Sequence, residues 1–475
     1  MKQLLLPKKI VKAKDMLNAK ALKIKKPLQV VLRSDKEWND VITTVNGNGY
    51  LVLDFGKEMN GGIRIITGNF EKASECAVRI RFGESLSETY SDVGVKGASN
   101  DHSPRDFNAI LPKYADVNFG QTGFRFVRID FLSEGIFHIQ NILCENNILN
   151  KKPVYRYKGD DKLVKSIFDT AKRTVDLCAA GDYVWDGVKR DRLVWIGDIH
   201  PEMLALATMY GRLESLERSL EFVRDNTPVS LWMNGIATYS MWWIIIVADY
   251  YFITGCKDFA ERQIDYINEL IVRFDQSVDE TGKMDYPWLF VDWPTCGSPD
   301  EEAGVRAINV LAVKKAIALL SEYGFDSISA QKVLEKLSLK PIAVKKMKQV
   351  VGLKYLAEGK ITDEEYALVM KDGAKGMSTF MSYYILTAIA SRDNELAKKI
   401  MKEYYGAMLD IGATTFFEDF DVEWLNNSSR IDKLPKKGQL DIHGDFGKHC
   451  YVGFRHSLCH GWSSGVIRFI YDLEK

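Results

Sequence analysis

Two stretches more than 200 residues apart carry acids among aromatics. "DGVKRDRLVWIGD" (186–198) puts six charged side chains and one Trp into thirteen positions, beside the apolar Val188, Leu193, Val194 and Ile196. "GATTFFEDFDVEW" (412–424) holds Glu418, Asp419, Asp421 and Glu423 among four aromatics. If the first stretch is helical, Asp191, Trp195 and Asp198 share one face at i, i+4, i+7, and Asp186 and Arg190 share another. Burying carboxyls beside an indole suits a site where one acid keeps a proton and the ring carries a sugar face. The alternative is a salt-bridge network, with Arg190 and Arg192 neutralising Asp191 and Asp186. A pair of such stretches reads as two sides of one pocket. Cleaving a glycosidic bond needs that inventory: an acid for the leaving oxygen, a carboxylate for water or the sugar carbon, and aromatic planes for the ring.

Two further stretches add candidates. "FVDWPT" (290–295) places Asp292 and Trp293 in a tight proline turn, and both read as substrate-binding. "HSLCHGWSSG" (456–465) contains G-x-S-x-G at Gly461 to Gly465. A nucleophile elbow needs a strand before it and acid and His partners after it. Ten residues follow Gly465 and none is His, so that reading is set aside. His460 instead reads as a hydrogen-bond donor pointing into the pocket, with a satisfied core histidine as the alternative. The seven cysteines (76, 144, 178, 256, 296, 450, 459) form no C-x-x-C pair, and the histidines show no metal spacing. No metal and no cofactor are expected, and the thiols read as reduced core filler.

These residues need a scaffold. Between 28 and 145, short segments such as "YLVLDFG" (50–56), "GGIRIITGNF" (61–70), "CAVRIRFGE" (76–84), "FRFVRIDFL" (124–132) and "GIFHIQNILCE" (135–145) read as strands. Their spacing suggests an N-terminal antiparallel β-sandwich over 1–150. Residues 92–118 read as a long polar loop. From 151 to 475 the apolar period becomes helical, as in "DDKLVKSIFDTAKRTVDLCAA" and "AGVRAINVLAVKKAIALLSEYG". Roughly ten to twelve helices without intervening strands predict a bundle, a solenoid or an α/α toroid. "TDEE" (362–365) reads as a capping box.

Bulk properties narrow the partners. Lys+Arg and Asp+Glu are equal at 64 each, which argues against nucleic-acid binding through bulk charge. The longest apolar run, "MWWIIIVA" (241–248), is about half a membrane span, and the N-terminal "MKQLLLPKK" is too short for a signal-peptide core. A cytoplasmic protein with a carbohydrate partner, no membrane and a possible homo-oligomeric state is expected.

At these residues the chain resembles the α-L-rhamnosidases of glycoside hydrolase family 78. Asp186, Arg190-Asp191-Arg192, Trp195 and Gly197-Asp198 match the family's hallmark spacing without a gap. "GATT", two residues and Glu418 resemble its general-base signature, and Ser457 with His460 its C-terminal Ser-x-x-His. "LVLDFGKEMNGGIRI", "FGESL" and "GFRFVRI" resemble the β-sandwich preceding its barrel. The resemblance implies an (α/α)6 barrel, an inverting mechanism and terminal α-L-rhamnose as substrate, in a minimal-length member. It places the general acid on Asp191 and the base on Glu418. Asp186, Arg190, Asp198, Trp195, Trp293 and His460 would bind the sugar. The chain departs from the pattern at Asp191, where well-studied members carry Glu. Two alternatives stand beside it: a barrel hydrolase for another deoxy or uronic sugar, served by Arg190, Arg192 or Arg455, and a catalytically silent glycan-binding homologue.

Overall fold

Alternation of apolar and polar residues puts most of the first 147 positions into strands. The computed structural model describes residues 2–32, 43–449 and 451–475; Cys450 and positions 33–42 of the expected strand region lie outside the described residues. The elements are β1 (Lys2–Leu5), β2 (Lys9–Leu17), β3 (Thr43–Glu71), β4 (Glu75–Gly83), a short helix α1 (Leu86–Tyr90), β5 (Asp106–Pro112), β6 (Asp116–Phe131) and β7 (Ile136–Asn147). Among the described residues these strands form one seven-stranded sheet in the order β1-β7-β3-β6-β4-β5, with β2 also on β3 and every pairing antiparallel.

The expected strands at 50–56 and 61–70 are one element. β3 runs 29 residues through the glycines between them. It slips register against β6 between Asp54 and Met59 and again between Gly61 and Ile63, so the glycines make bulges instead of a hairpin turn. Thr43 and Thr67 of β3 both pair with Ile139, which means β3 curls around the start of β7. The expected loop at 92–118 contains β5 and the start of β6. β5 is an edge strand whose outer positions are Asn108, Ile110 and Pro112. β1 and β2 were not anticipated either. Their lysines mark protected edges.

The second half is helical: α2 (Lys162–Cys178), α3 (Ile199–Tyr210), α4 (Glu214–Asp225), α5 (Ala237–Thr254), α6 (Lys257–Glu261), α7 (Ile264–Ser277), α8 (Glu301–Glu322), α9 (Ile328–Ser338), α10 (Lys348–Glu358), α11 (Asp363–Met370), α12 (Ser382–Ala390), α13 (Asn394–Asp410) and α14 (Val466–Leu473). α3 packs on α5, α5 on α8, α8 on α10, α10 on α12, α12 on α14, and α14 back on α3. All twelve residues of α3 are buried, as is most of α5 with Trp242 and Trp243. α2, α4, α7 and α9 bury one stripe only and pack outside that ring. The capping box at Thr362 and Glu365 is present and starts α11. Among the described residues no helix is long and apolar enough to cross a membrane. The strands' main core (Leu51, Ile63, Val78, Phe124, Ile129) and the helices' core (Ile167, Met203, Trp242, Ile308, Tyr384) are separate clusters. The acid-bearing loops lie where the two halves meet.

Candidate active site

The stretch 186–198 is a loop, not the helix that would have aligned Asp191, Trp195 and Asp198 by periodicity. Asp191 and Arg192 both take left-handed backbone angles, each with φ 57°, which ends any helix. The loop closes on itself through Asp186, whose N–H donates to Leu193 O at 3.1 Å and whose Oδ1 accepts from Leu193 N at 2.9 Å. Asp186 O also accepts from Gly461 N at 2.7 Å, tying the loop to the C-terminal site segment. Gly197 is required by a close approach, since a Cβ there would lie 2.3 Å from the Tyr239 ring. The chain then enters α3 at Asp198, so a loop that looks helical by period ends where a helix begins.

Glu418 follows α13 in a second loop and is buried. Its Oε2 accepts from Ser457 N at 2.9 Å, and its backbone O from Trp462 Nε1 at 2.9 Å. Arg190 joins the two expected catalytic acids. Its Nη1 lies 2.9 Å from Asp191 Oδ1, and its Nη2 donates to Glu418 Oε1. Burial raises the Glu418 carboxyl above its usual range, opposed by Arg190 and by the Ser457 N–H. Arg192 points away from the acids, donating to Gln121 O and lying over the Trp185 ring.

Asp186, Asp198 and His460 form a second group. His460 Nε2 lies 3.7 Å from Asp186 Oδ2, 4.0 Å from Asp198 Oδ2 and 3.8 Å from Glu418 Oε1. Asp198 Oδ1 accepts from Tyr239 OH at 2.8 Å. Burial, then the other acids nearby, pushes Asp186 well up and Asp198 up to about 8. Burial, then Arg190, pushes His460 well down. These shifts favour the uncharged forms, which can both donate and accept and so suit sugar hydroxyls. Their ligand atoms are also close enough together to hold a cation. Behind them stands Glu202, fully buried and pressed against Gly461, where a Cβ would lie 2.2 Å from its carboxyl carbon.

A cavity of about 160 Å³ collects these groups: Asp186, Arg190, Asp191, Trp195, Asp198, Glu418 and His460 line it, with aromatic walls from Tyr239, Trp288, Phe290, Trp293, Tyr451 and Trp462. Asp292 does not line it. It borders an adjoining, smaller hollow, with Oδ1 accepting from Thr295 N at 3.0 Å and Oδ2 from Ser378 Oγ at 2.9 Å.

Several contributions were not read from the sequence. Trp462, two residues after His460, was the most legible, and its ring centroid lies 4.1 Å from that of His460. Lys189 carries a buried ammonium, 3.0 Å from Glu84 and 3.3 Å from Glu88, and donates to Phe454 O at 2.9 Å. It occupies the gathering of Glu84, Glu88 and His443 that could otherwise hold a cation. Glu84 also accepts from Leu458 N at 2.6 Å and Ser457 Oγ at 3.0 Å, so the sheet half anchors both site loops. His102, from the expected polar loop, reaches Asp191, with Nδ1 at 2.8 Å from Oδ1.

No family model and no curated protein matches this sequence. Solved structures do. A rhamnosidase from Klebsiella oxytoca with rhamnose bound superposes with a TM-score of 0.77 at 18% identity, covering 100% of this chain and 96% of that one. A GH78 family rhamnosidase of Bacillus sp. GL1 gives 0.70 at 18% identity, covering 95% of this chain and 48% of that one. An α-L-rhamnosidase from Dictyoglumus thermophilum gives 0.62 at 16% identity, over 99% of this chain and 51% of that one. The chain spans nearly the whole of the first and about half of the other two. Its fold is that of the α-L-rhamnosidases: an antiparallel β-sheet half followed by a helical half.

Proposed function

We propose that this protein is an inverting glycoside hydrolase that releases terminal α-L-rhamnose from oligosaccharides or glycosides. The observation that carries the reading is that Asp191 and Glu418 meet at one guanidinium inside an aromatic-walled cavity. Protonated Asp191 gives its proton to the glycosidic oxygen. Ionised Glu418 takes a proton from the water that attacks the opposite face of C1. An inverting pair of this kind stands about 6.5–9.5 Å apart to admit the water, against about 5–5.5 Å for a retaining pair. Arg190 and the Ser457 N–H work against the upward push of burial on Glu418, the direction a base requires. Asp186, Asp198 and His460 bind hydroxyls, while Trp195, Trp293 and Trp462 offer apolar faces to the ring C–H groups and the rhamnose methyl.

The same reading takes the curled sheet of 1–150 as a β-sandwich domain. The six helices closing on one another, with an outer layer around them, are then the (α/α)6 barrel of a catalytic domain at 151–475. The rival uronic substrate finds little support. Arg190 is engaged by two acids, Arg192 by Gln121 O, and Arg455 by Asp101 at 2.9 Å.

A panel of chromogenic glycosides tests the reading. Turnover of the α-L-rhamnoside well above other deoxy-sugar and uronic glycosides is expected. Turnover of another glycoside instead would reassign the sugar, and saturable rhamnose binding without turnover would leave a silent binder.

A further inference from the structure

The sugar cavity is closed on the side of Glu418 and more open on the side of Asp191. The Glu418 side chain is 2% exposed, beneath the Ser457 N–H and the Trp462 indole, whereas that of Asp191 is 16% exposed. A leaving group therefore departs past Asp191. The loop that carries Asp191 is tied to the turn before α5. Asn234 Oδ1 accepts from Ile196 N at 3.0 Å, and Asn234 Nδ2 donates to Val194 O at 3.2 Å. The same turn borders a second, wider hollow of about 640 Å³.

Two chain segments serve both hollows. In the first, Trp232 lines the wider hollow and Ile236 the sugar cavity; in the second, Pro287 lines the wider hollow and Trp288 the sugar cavity. The two spaces are thus neighbours on one face of the helical half. The far wall is the C-terminal end of α7, joined to the second segment by Asp285 N donating to Ser277 O at 2.9 Å. Arg273 of α7 lies 3.5 Å over the Trp232 ring and donates to Val229 O, which fixes the floor. Ser230, Glu269, Gln276 and Asp285 line this groove, and their side chains make no hydrogen bond or ion pair with another described residue. Val272 and Trp288 add exposed apolar faces. Free donors and acceptors beside apolar faces suit the hydroxyls and C–H groups of a saccharide. The uncommitted charges are both acids, Glu269 and Asp285, so a neutral saccharide fits and a uronate is repelled.

We propose that this groove binds the leaving group, and that the substrate class is a neutral oligosaccharide several units long with rhamnose at its end, in preference to the rhamnoside of a compact phenol. The proposal rests on the glycosidase reading of the site. The terminal sugar occupies the cavity between Asp191 and Glu418. The next unit passes over Trp288 and the Asn234 turn, and the units beyond it meet Gln276 and Asp285. A phenol ends at Trp288 and leaves those polar groups to water. Contacts to the remote units help to hold the scissile bond at the two acids, so a longer leaving group raises kcat/KM as well as affinity.

Two measurements on the full chain test this. The first is calorimetric binding to the slow Glu418→Gln variant. The ligands are methyl α-L-rhamnoside, phenyl α-L-rhamnoside, and tetrasaccharides in which α-L-rhamnose caps glucotriose through each hydroxyl of its non-reducing glucose in turn. At least one tetrasaccharide should bind about 10-fold tighter than either small rhamnoside. Adding Gln276→Ala or Asp285→Ala should cut that gain by about 3-fold or more, with a smaller effect on methyl α-L-rhamnoside. No gain with any tetrasaccharide, a preference for the phenyl ligand, or a gain that both groove variants leave intact would overturn the proposal. The second measurement is wild-type turnover of the same compounds. Faster kcat/KM on the best-bound tetrasaccharide than on methyl α-L-rhamnoside is expected. Turnover of the methyl glycoside with no such advantage would overturn the groove assignment while leaving the glycosidase reading intact. Tetrasaccharide binding that depends on Gln276 and Asp285, with no turnover of any rhamnoside, would overturn the glycosidase reading while supporting the groove.

Discussion

Asp191 and Glu418, remote in sequence, are held by opposite nitrogens of the same Arg190 side chain. The guanidinium fixes their relative position, and beside Glu418 it opposes the upward push that burial gives that carboxyl. Replacing Arg190 with Lys removes the planar fork. An ammonium presents its donors from one nitrogen and loses the two-ended bridge, so kcat should fall by at least about 10-fold, a shift of about 1.4 kcal/mol in barrier, with a smaller change in KM. Steady-state kinetics on an aryl rhamnoside check this, and an unchanged kcat would show that the bridge is incidental.

Asp191→Asn and Glu418→Gln keep the shape of each side chain and remove its proton chemistry. Each should lower kcat/KM by about 10²–10⁴-fold. Their melting temperatures should stay close to wild type. Glu418→Ala should behave differently, because it leaves Arg190 without its most buried partner, a loss on the order of 3–5 kcal/mol. Thermal denaturation beside kinetics separates the two effects. Matching stability losses in Glu418→Gln and Glu418→Ala would mean that Glu418 is chiefly a structural ion-pair member.

The buried Lys189 should be a stability determinant. Lys189→Met leaves Glu84 and Glu88 facing each other without their cation, and should cost on the order of 3–5 kcal/mol. Adding Glu84→Gln to that variant removes one of the stranded charges, so the double variant should recover part of the loss. Urea denaturation of wild type, Lys189→Met, Glu84→Gln and the double variant measures it. Additive losses would indicate that the cluster is not energetically connected.

How much of this was legible from sequence varies with the kind of signal. The acids Asp191 and Glu418 stood out because charge beside aromatics is unusual near a core, and the cavity brings them together. The helical half was also legible, since inner and outer helices differ in apolar coverage as α3 and α2 do. Periodicity misread the 186–198 loop, where left-handed residues and side-chain-to-backbone bonds from Asp186 replace helical ones. Edge strand β2 was hidden by the lysines that protect an edge. His102 and Lys189 were invisible for a different reason: each acts on a partner far along the chain, and no local pattern announces such a contact.

Stability should carry a pH signature from Asp198. Burial raises its carboxyl from 3.8 to about 8 in the folded protein, so the native state binds the proton more tightly than the unfolded chain. That contribution is complete below the unfolded value and is lost as pH rises toward about 8. Asp198→Asn removes the titration. Relative to wild type, the variant should gain stability as pH rises from about 4 to about 8. Parallel stability curves across that range would place Asp198 in a more polar setting than the structure shows.

The central claim is that Asp191 and Glu418 act on opposite faces of one sugar, and product stereochemistry reports on it directly. Proton NMR of an α-L-rhamnoside digest, recorded before mutarotation, should show β-L-rhamnose first. Early α-L-rhamnose, with the β form appearing only on the mutarotation timescale, would contradict the account.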